Sequence, residues 1–301
     1  MGCAARDIKK FPRISCTVNA AVGHEEKYRI QPAAIKKKVM VVGGGPAGME
    51  AALVASLRGH RVSLYERTKN LGGQLNVAAI PPHNREIQNL TEFLVSQIKA
   101  SGVEIHTDVH VTPELVLQEK PDAVVLAIGA QPIRPDTPGV DGDNVVLAAD
   151  VLTGNARVGK RVVVVGGGLV GMETSLVLSQ SGKRVALVEM LPKVGMNANS
   201  LEMLCMMERL LEQGVQILTN TRLLSIHPGG VTVVMKQLTS ENELISIQTD
   251  TVVIAMGYRP ADDLAKPLEA AGCTSLVIGD CKEPRKIIDA IHEGFRLGLS
   301  L

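Results

Sequence analysis

One pattern of 28 residues occurs twice in this chain of 301, from Val39 to Glu66 and again from Val162 to Glu189, 123 positions apart and without a gap. Seventeen of the 28 positions are identical, among them Gly43/Gly166, Gly45/Gly168, Gly48/Gly171 and Glu66/Glu189. Each copy reads as four apolar β-forming residues, a Gly-x-Gly-x-x-Gly turn, a helix and a second strand ending in glutamate. The first glycine makes the tight bend, the second lets a pyrophosphate approach bare backbone, and the third brings the helix close to the strand. The helix N-terminus then offers unpaired N–H groups and a partial positive charge to the phosphates.

Two dinucleotide sites are therefore expected. In the first copy the phosphates would meet Gly43, Gly45, Pro46, Ala47 and Gly48, and in the second Gly166, Gly168, Leu169, Val170 and Gly171. Glu66 and Glu189 each lie 18 residues past their third glycine. That is close to the roughly 20 expected of a carboxylate that accepts from a ribose hydroxyl. The fold class is α/β, with two Rossmann-like dinucleotide-binding domains, the second inserted in the first.

Length supports two domains on one chain. Charge is balanced, at 32 Lys+Arg against 31 Asp+Glu, so no electrostatic grip on nucleic acid is expected. Three Tyr, three Phe and no Trp argue against base-stacking surfaces. The longest apolar run, Val162 to Leu178, is interrupted by four glycines and Glu173 and reads as a buried strand and helix, not a membrane span. With no secretory leader after Met1, a cytoplasmic protein is the expectation.

Helix spacing of Ile87, Leu90, Phe93, Leu94 and Ile98 predicts a helix from about Asn84 to Ala100. Further helices are expected over about Ser200 to Gln213 and Pro284 to Leu297, with a hairpin near Pro228-Gly229-Gly230. The short strand Ser275 to Ile278 stops at Gly279-Asp280, which places the acid at the carboxyl edge of a sheet, where ligands of open α/β folds sit. The predicted division is an amino-terminal arm (1–36), a first domain (37–155 plus 262–301) and an inserted second domain (156–261).

This order of landmarks resembles the two-dinucleotide-domain flavoprotein reductases, whose first glycine turn binds FAD and whose inserted second one binds NAD(P)H. The resemblance implies FAD contacts from Gly73, Gln74 and Leu75 after the first unit and from Arg67, Val111, Ala127, Gly129, Gly279 and Asp280, with Gly257 serving the nicotinamide dinucleotide. Disulfide reductases of that superfamily need a cysteine pair beside the flavin. The cysteines here are Cys3, Cys16, Cys205, Cys273 and Cys281, and no two form Cys-x-x-Cys, so a thioredoxin-reductase-like activity is not expected.

Three phrases resemble a narrower group, the 2,4-dienoyl-CoA reductase, enoate reductase and trimethylamine dehydrogenase family. They are the stretch around Cys3 and Cys16, then Gly72 to Pro82, and then Ile278 to Phe295. In that family four cysteines hold a 4Fe-4S cluster, and Cys3 and Cys16 match the last two. The two earlier ones, and the FMN-binding barrel, have no counterpart here. The chain thus looks like the carboxyl-terminal portion of a larger enzyme, with the FMN barrel of the parent as its partner and the cluster and FMN belonging to that parent. The implied reaction is hydride transfer from NADH to FAD, with no protein acid or base as catalyst. Glu189 favours NADH over NADPH. Two alternatives stay open: a stand-alone NADH:acceptor reductase, and a non-redox domain that holds ADP structurally, as in the trimethylamine dehydrogenase branch.

Overall fold

The computed structural model describes residues 15–196, 200–236, 242–261 and 263–301. The chain forms two compact units, one comprising Met1–Gln131 with Arg259–Leu301 and the other Pro132–Tyr258.

The first unit contains β1 (Lys38–Val42), α1 (Pro46–Leu57), β2 (Arg61–Glu66), α2 (Gln74–Ala78), α3 (Arg85–Ala100), β3 (Glu104–Thr107), α4 (Pro113–Glu119) and β4 (Ala123–Leu126), and the chain leaves it along β5 (Ala130–Pro132). The second contains β6 (Val145–Leu147), α5 (Ala148–Leu152), β7 (Arg161–Val165), α6 (Leu169–Gln180), β8 (Arg184–Val188), α7 (Ser200–Glu212), β9 (Gln216–Leu218), a meander of β10 (Thr221–His227), β11 (Gly230–Met235) and β12 (Glu243–Gln248), and β13 (Thr251–Ile254). The chain returns through β14 (Tyr258–Pro260), which pairs with β5, and completes the first unit with α8 (Ala265–Ala270), β15 (Ser275–Val277) and α9 (Ile287–Ser300).

Each unit is built on a five-stranded parallel sheet, in the order β15-β4-β1-β2-β3 and β6-β13-β7-β8-β9. The central strands read as unbroken apolar runs, Val39 to Val42 and Val162 to Val165, because both faces are covered: by helices in the first unit, and by helices on one face and the β10–β12 meander on the other in the second. One core of the first unit gathers Val39, Val41, Leu64, Ile98 and Ile291, and its counterpart in the second gathers Val162, Val164, Leu187, Leu210 and Val253.

Helix α1 is short of large side chains on the face it shares with α9, and α9 answers with glycine. A Cβ on Gly294 would stand 2.3 Å from the Ala47 carbonyl oxygen, and one on Gly298 would stand 2.6 Å from Val54 Cβ. The two helices therefore pack backbone to backbone, which fixes α9 to the helix that opens the first glycine turn.

Two expectations need correction. The boundary predicted at 155/156 falls inside the second unit: β6 hydrogen-bonds to β13 through Val145, Val146 and Leu147, so residues 132–155 group with the inserted unit. The segment read as an amino-terminal arm is packed against the first unit from Ser15 onward. Ala20 lies against Val54 and Phe295, Tyr28 meets Phe295 edge-on at 5.8 Å, and His292 Nε2 donates to the Cys16 carbonyl oxygen at 2.8 Å. Its apolar residues are too scattered for any periodicity to announce the contact. Helix α9 begins three residues after the predicted Pro284, where an extended Lys286 caps it. Among the described residues no helix is long and apolar enough to cross a membrane.

Candidate dinucleotide sites

In each unit the three glycines of the turn have three different surroundings. Gly43 and Gly166 adopt φ of +110° and +107°, and a Cβ there would lie 2.2 and 2.4 Å from the carbonyl oxygens of Ala127 and Ala255. Gly48 and Gly171 press against the carbonyl oxygens of Gly43 and Gly166, with room for no side chain at 1.9 and 1.8 Å. Gly45 and Gly168 have no heavy atom within 4 Å of the Cβ position. The outer two glycines are thus consumed by packing, and the middle one leaves bare backbone facing open space. Helices α1 and α6 start at this point with Gly45 and Gly168 as N-cap residues, no side-chain cap and no acid in the first turn. Their first N–H groups therefore lack a side-chain partner, as an anion-binding terminus requires.

The glutamates at the strand ends are held by the turns themselves. Glu66 Oε2 accepts from Gly44 N at 2.8 Å, and Oε1 accepts from Thr68 N at 2.8 Å and Thr68 Oγ1 at 2.9 Å. Glu189 repeats this, accepting from Gly167 N at 2.6 Å and Leu191 N at 2.8 Å. Both carboxylates are buried. Each carboxylate takes a backbone donor on both of its oxygens, which fixes its direction, so a ribose diol would meet an acceptor already oriented.

The duplication runs further in space than in sequence. Gly72 N donates to the Gly44 carbonyl at 2.8 Å, and Gly195 N donates to the Gly167 carbonyl at 2.7 Å. Leu71 and Val194 occupy matching places, against Gly44 and Gly167, which lie between the first two glycines of each turn. All these pairs keep the 123-residue offset, although Leu71-Gly72-Gly73-Gln74 and Val194-Gly195-Met196-Asn197 share a single identity. Geometry, not residue type, preserves the match.

The first unit gathers the remaining predicted residues around α1's N-terminus. A Cβ on Gly73 would lie 3.1 Å from Gly45 Cα, and one on Gly279, at φ +65°, would lie 2.8 Å from Ala47 Cβ. The turns carrying Gly73, Gln74 and Leu75 and carrying Gly279 and Asp280 therefore flank Gly45, Pro46 and Ala47. Ala127 is buried behind Gly43, and Gly129, at φ +80°, faces open space. Val109 N donates to the Glu66 carbonyl at 3.0 Å, which brings the buried Val111 to the glutamate's end of β2, while Arg67 is exposed beside it.

Burial pushes the Asp280 carboxyl above its ordinary pKa, and the Arg285 backbone N–H and charge partly oppose that. Glu293, on α9, was not foreseen from sequence. It accepts from Gly279 N at 3.0 Å, Lys282 Nζ at 3.1 Å and Arg285 Nη2 at 2.5 Å. Burial works to raise this carboxyl, but the Lys282 and Gly279 hydrogen bonds and the Arg285 charge outweigh it and hold the pKa below the usual value.

In the second unit, Leu147, Ala148, Val170, Ile254, Ala255 and Gly257 line a shallow, mostly apolar cleft beside the glycine turn. Cys16, Cys205, Cys273 and Cys281 are free thiols, and Cys3 lies outside the described residues. Among the described residues no group of three or more His, Cys, Asp or Glu could hold a metal ion. Two cysteines do not fit a four-thiolate cluster on their own.

A model of the pyridine nucleotide-disulphide oxidoreductase family matches residues 37–279. The chain belongs to this family. It is 39% identical to an NADH oxidase of Thermoanaerobacter brockii, over 99% of this chain and 46% of that protein, and 36% identical to a bilirubin reductase of Mediterraneibacter gnavus, over 98% and 45%. Among solved structures, a 2-naphthoyl-CoA reductase complex superposes with a TM-score of 0.89 at 31% identity, covering 96% of this chain and 44% of that one. The chain spans about half the length of these relatives, which are multi-domain reductases of the group that the sequence resembles. Thioredoxin reductase of T. acidophilum, 21% identical with a TM-score of 0.66, shares the fold. Family membership makes the chain an FAD/NAD(P) oxidoreductase domain and implies binding of both dinucleotides.

Proposed function

We propose that the first unit binds FAD, that the second binds NADH, and that the chain is the hydride-accepting module of a larger reductase. The observation that carries this reading is the pair of uncapped helix N-termini, each beside an open glycine and a backbone-held glutamate. The turn at Gly279-Asp280 supports FAD in the first unit, since it adds an acid beside the phosphate end of α1. Bound flavin would take a hydride from reduced nicotinamide and release electrons singly.

The chain's own residues bind and orient. Gly45 and Gly168 admit the pyrophosphates, Glu66 and Glu189 accept from adenosine ribose hydroxyls, and Asp280 holds the ribityl or pyrophosphate portion. A 2′-phosphate on the second nucleotide would face the fixed carboxylate of Glu189, which favours NADH. Hydride transfer asks for alignment more than for an acid or base, so no catalytic residue is assigned. Cys3 and Cys16 would complete a 4Fe-4S cluster only with two thiolates from elsewhere in a parent protein. That parent would carry an FMN barrel and reduce an activated alkene, the class to which the cinnamate reductase of Clostridium sporogenes, 32% identical, belongs by name.

The test is reconstitution with FAD, then gel filtration and titration with NADH and NADPH. Flavin absorbance should travel with the protein and bleach faster with NADH. Glu189→Ala should narrow that preference by about 1 to 3 kcal/mol. Retention of ADP with exclusion of FAD would refute the assignment of the first site, and equal rates with both nucleotides would refute that of Glu189.

A further inference from the structure

The Gly279-Asp280 turn is a short 3-10 segment, and the hydrogen bond from Arg285 N to Asp280 Oδ1, at 3.1 Å, comes from the same loop. Something outside the loop must fix its position relative to α1. Glu293 supplies a tie of this kind from α9: its two oxygens take the Gly279 N–H, the Lys282 ammonium and the Arg285 guanidinium, and only 13% of its side chain is exposed. The residue that follows it, Gly294, is pressed against the Ala47 and Ala51 backbone of α1. Glu293 is therefore anchored to the same helix whose N-terminus faces the phosphates.

We propose that Glu293 is a positioning residue for the flavin-facing acid. It ties the Gly279-Asp280 turn to the α1–α9 pair and sequesters Lys282 and Arg285, which would otherwise be free to pair with Asp280. The inference rests on the assignment of FAD to the first unit. Removing the carboxylate has two consequences of different kinds. The Gly279 N–H loses its acceptor, and two cations are released beside an acid meant for a ligand hydroxyl. Glutamine restores the acceptor for Gly279 N–H but not the charge that holds the cations, so Glu293→Gln should fall between the native protein and Glu293→Ala.

The experiment measures dissociation constants of FAD and of ADP for the native protein, Glu293→Gln and Glu293→Ala, together with hydrogen exchange of the segment from Ile278 to Glu283 in cofactor-free protein. ADP reports the adenosine and diphosphate held by Glu66 and the first glycine turn, and FAD also reports the ribityl portion, here assigned to Asp280. The expected result is a loss of FAD affinity of about tenfold or more in Glu293→Ala, the size of one hydrogen bond to a charged group. ADP affinity should stay within about twofold, and exchange at Gly279 should quicken by about tenfold or more, with Glu293→Gln intermediate in both. NADH affinity, which belongs to the other unit, should be unchanged. Parallel weakening of FAD and ADP would overturn the proposal, because it marks general damage to the unit, and so would unaltered exchange at Gly279. If the native protein holds ADP but not FAD, the FAD reading fails, and the exchange measurement still decides whether Glu293 positions the turn.

Discussion

The backbone contact between α1 and α9 makes Gly294→Ala the most instructive single change in the first unit. The added Cβ would stand 2.3 Å from the Ala47 carbonyl oxygen and 3.2 Å from Ala51 N, where ordinary contact begins near 3.4 Å. Both obstacles are backbone, so no rotamer change relieves them, and the helices must separate by about 1 Å. Overpacking of this kind costs about 1 to 3 kcal/mol, and an unyielding backbone puts this site at the upper end. Alanine in place of glycine within a helix returns about 1 kcal/mol, which leaves about 2 kcal/mol of net destabilisation. For a unit of this size the first unit's transition in calorimetry should fall by about 4 to 8 °C. Gly298→Ala should cost less, since among its nearest neighbours only the Ala51 carbonyl oxygen, at 3.1 Å, is backbone, beside Cβ and Cγ1 of Val54 at 2.6 and 2.9 Å. A Gly294→Ala protein as stable as the native one, or the reverse order of the two variants, would refute the claim that the helices meet backbone to backbone.

The two other sites separate folding from binding and acid chemistry from packing. Gly45→Ala meets open space at an ordinary φ of −76°, so thermal unfolding should barely change while FAD affinity in equilibrium dialysis falls by tenfold or more, roughly one lost charge-assisted contact; unaltered FAD affinity would show that the pyrophosphate does not approach there. Glu50 is buried in α1 and its carboxyl is pushed up to about 7 by that burial, from an ordinary 4.5. An acid whose folded pKa is raised costs nothing below its unfolded pKa, and the cost grows with pH up to the folded value. Glu50→Gln should therefore gain stability on the order of 3 kcal/mol at pH 8 and almost none at pH 4, read by urea denaturation at both; equal gains at both pH values would mean that charge burial is not the cause.

The glycine turns and the strand-end glutamates were legible because each demands a residue type that nothing else can supply. Positive φ beneath a carbonyl requires glycine at Gly43 and Gly166, and a helix pressed on that carbonyl requires it at Gly48 and Gly171. The match of Gly72 to Gly195 leaves little trace in the sequence because it is carried by a backbone hydrogen bond, and its flanking residues are free to diverge. Glu293 was hidden for a different reason. On the helical pattern it reads as one more polar residue on α9, and its three donors come from a loop that only the tertiary fold brings within reach. The boundary at Gln131 rather than near residue 155 turned on β6, three residues whose allegiance is decided by pairing and not by composition.

The insertion itself explains how two copies of one motif come to differ. In each sheet the outermost strand beside the glycine turn, β15 or β6, is supplied from outside the repeat: β15 comes from after the inserted unit and β6 from before β7. Their registers are equivalent, with Val277 beside Leu126 and Leu126 beside Val42 in one sheet, and Leu147 beside Ile254 and Ile254 beside Val165 in the other. Two residues further on, the first unit has Gly279 and the second Ala149. Gly279 adopts φ +65°, which turns the chain over Ala47, whereas Ala149 lies within α5, which follows β6 directly. A residue with a Cβ enters the left-handed region only at a cost of about 1 to 2 kcal/mol, so the second unit continues into a helix where the first makes a turn. Asp280 and Asp150 are thus equivalent by register but reached by different backbone paths. One lies on the turn that Glu293 ties to the phosphate-facing helix, and the other in the first turn of α5. The repeat supplies two nearly identical glycine turns and strand-end glutamates, and the residues contributed from outside it make their surroundings unequal.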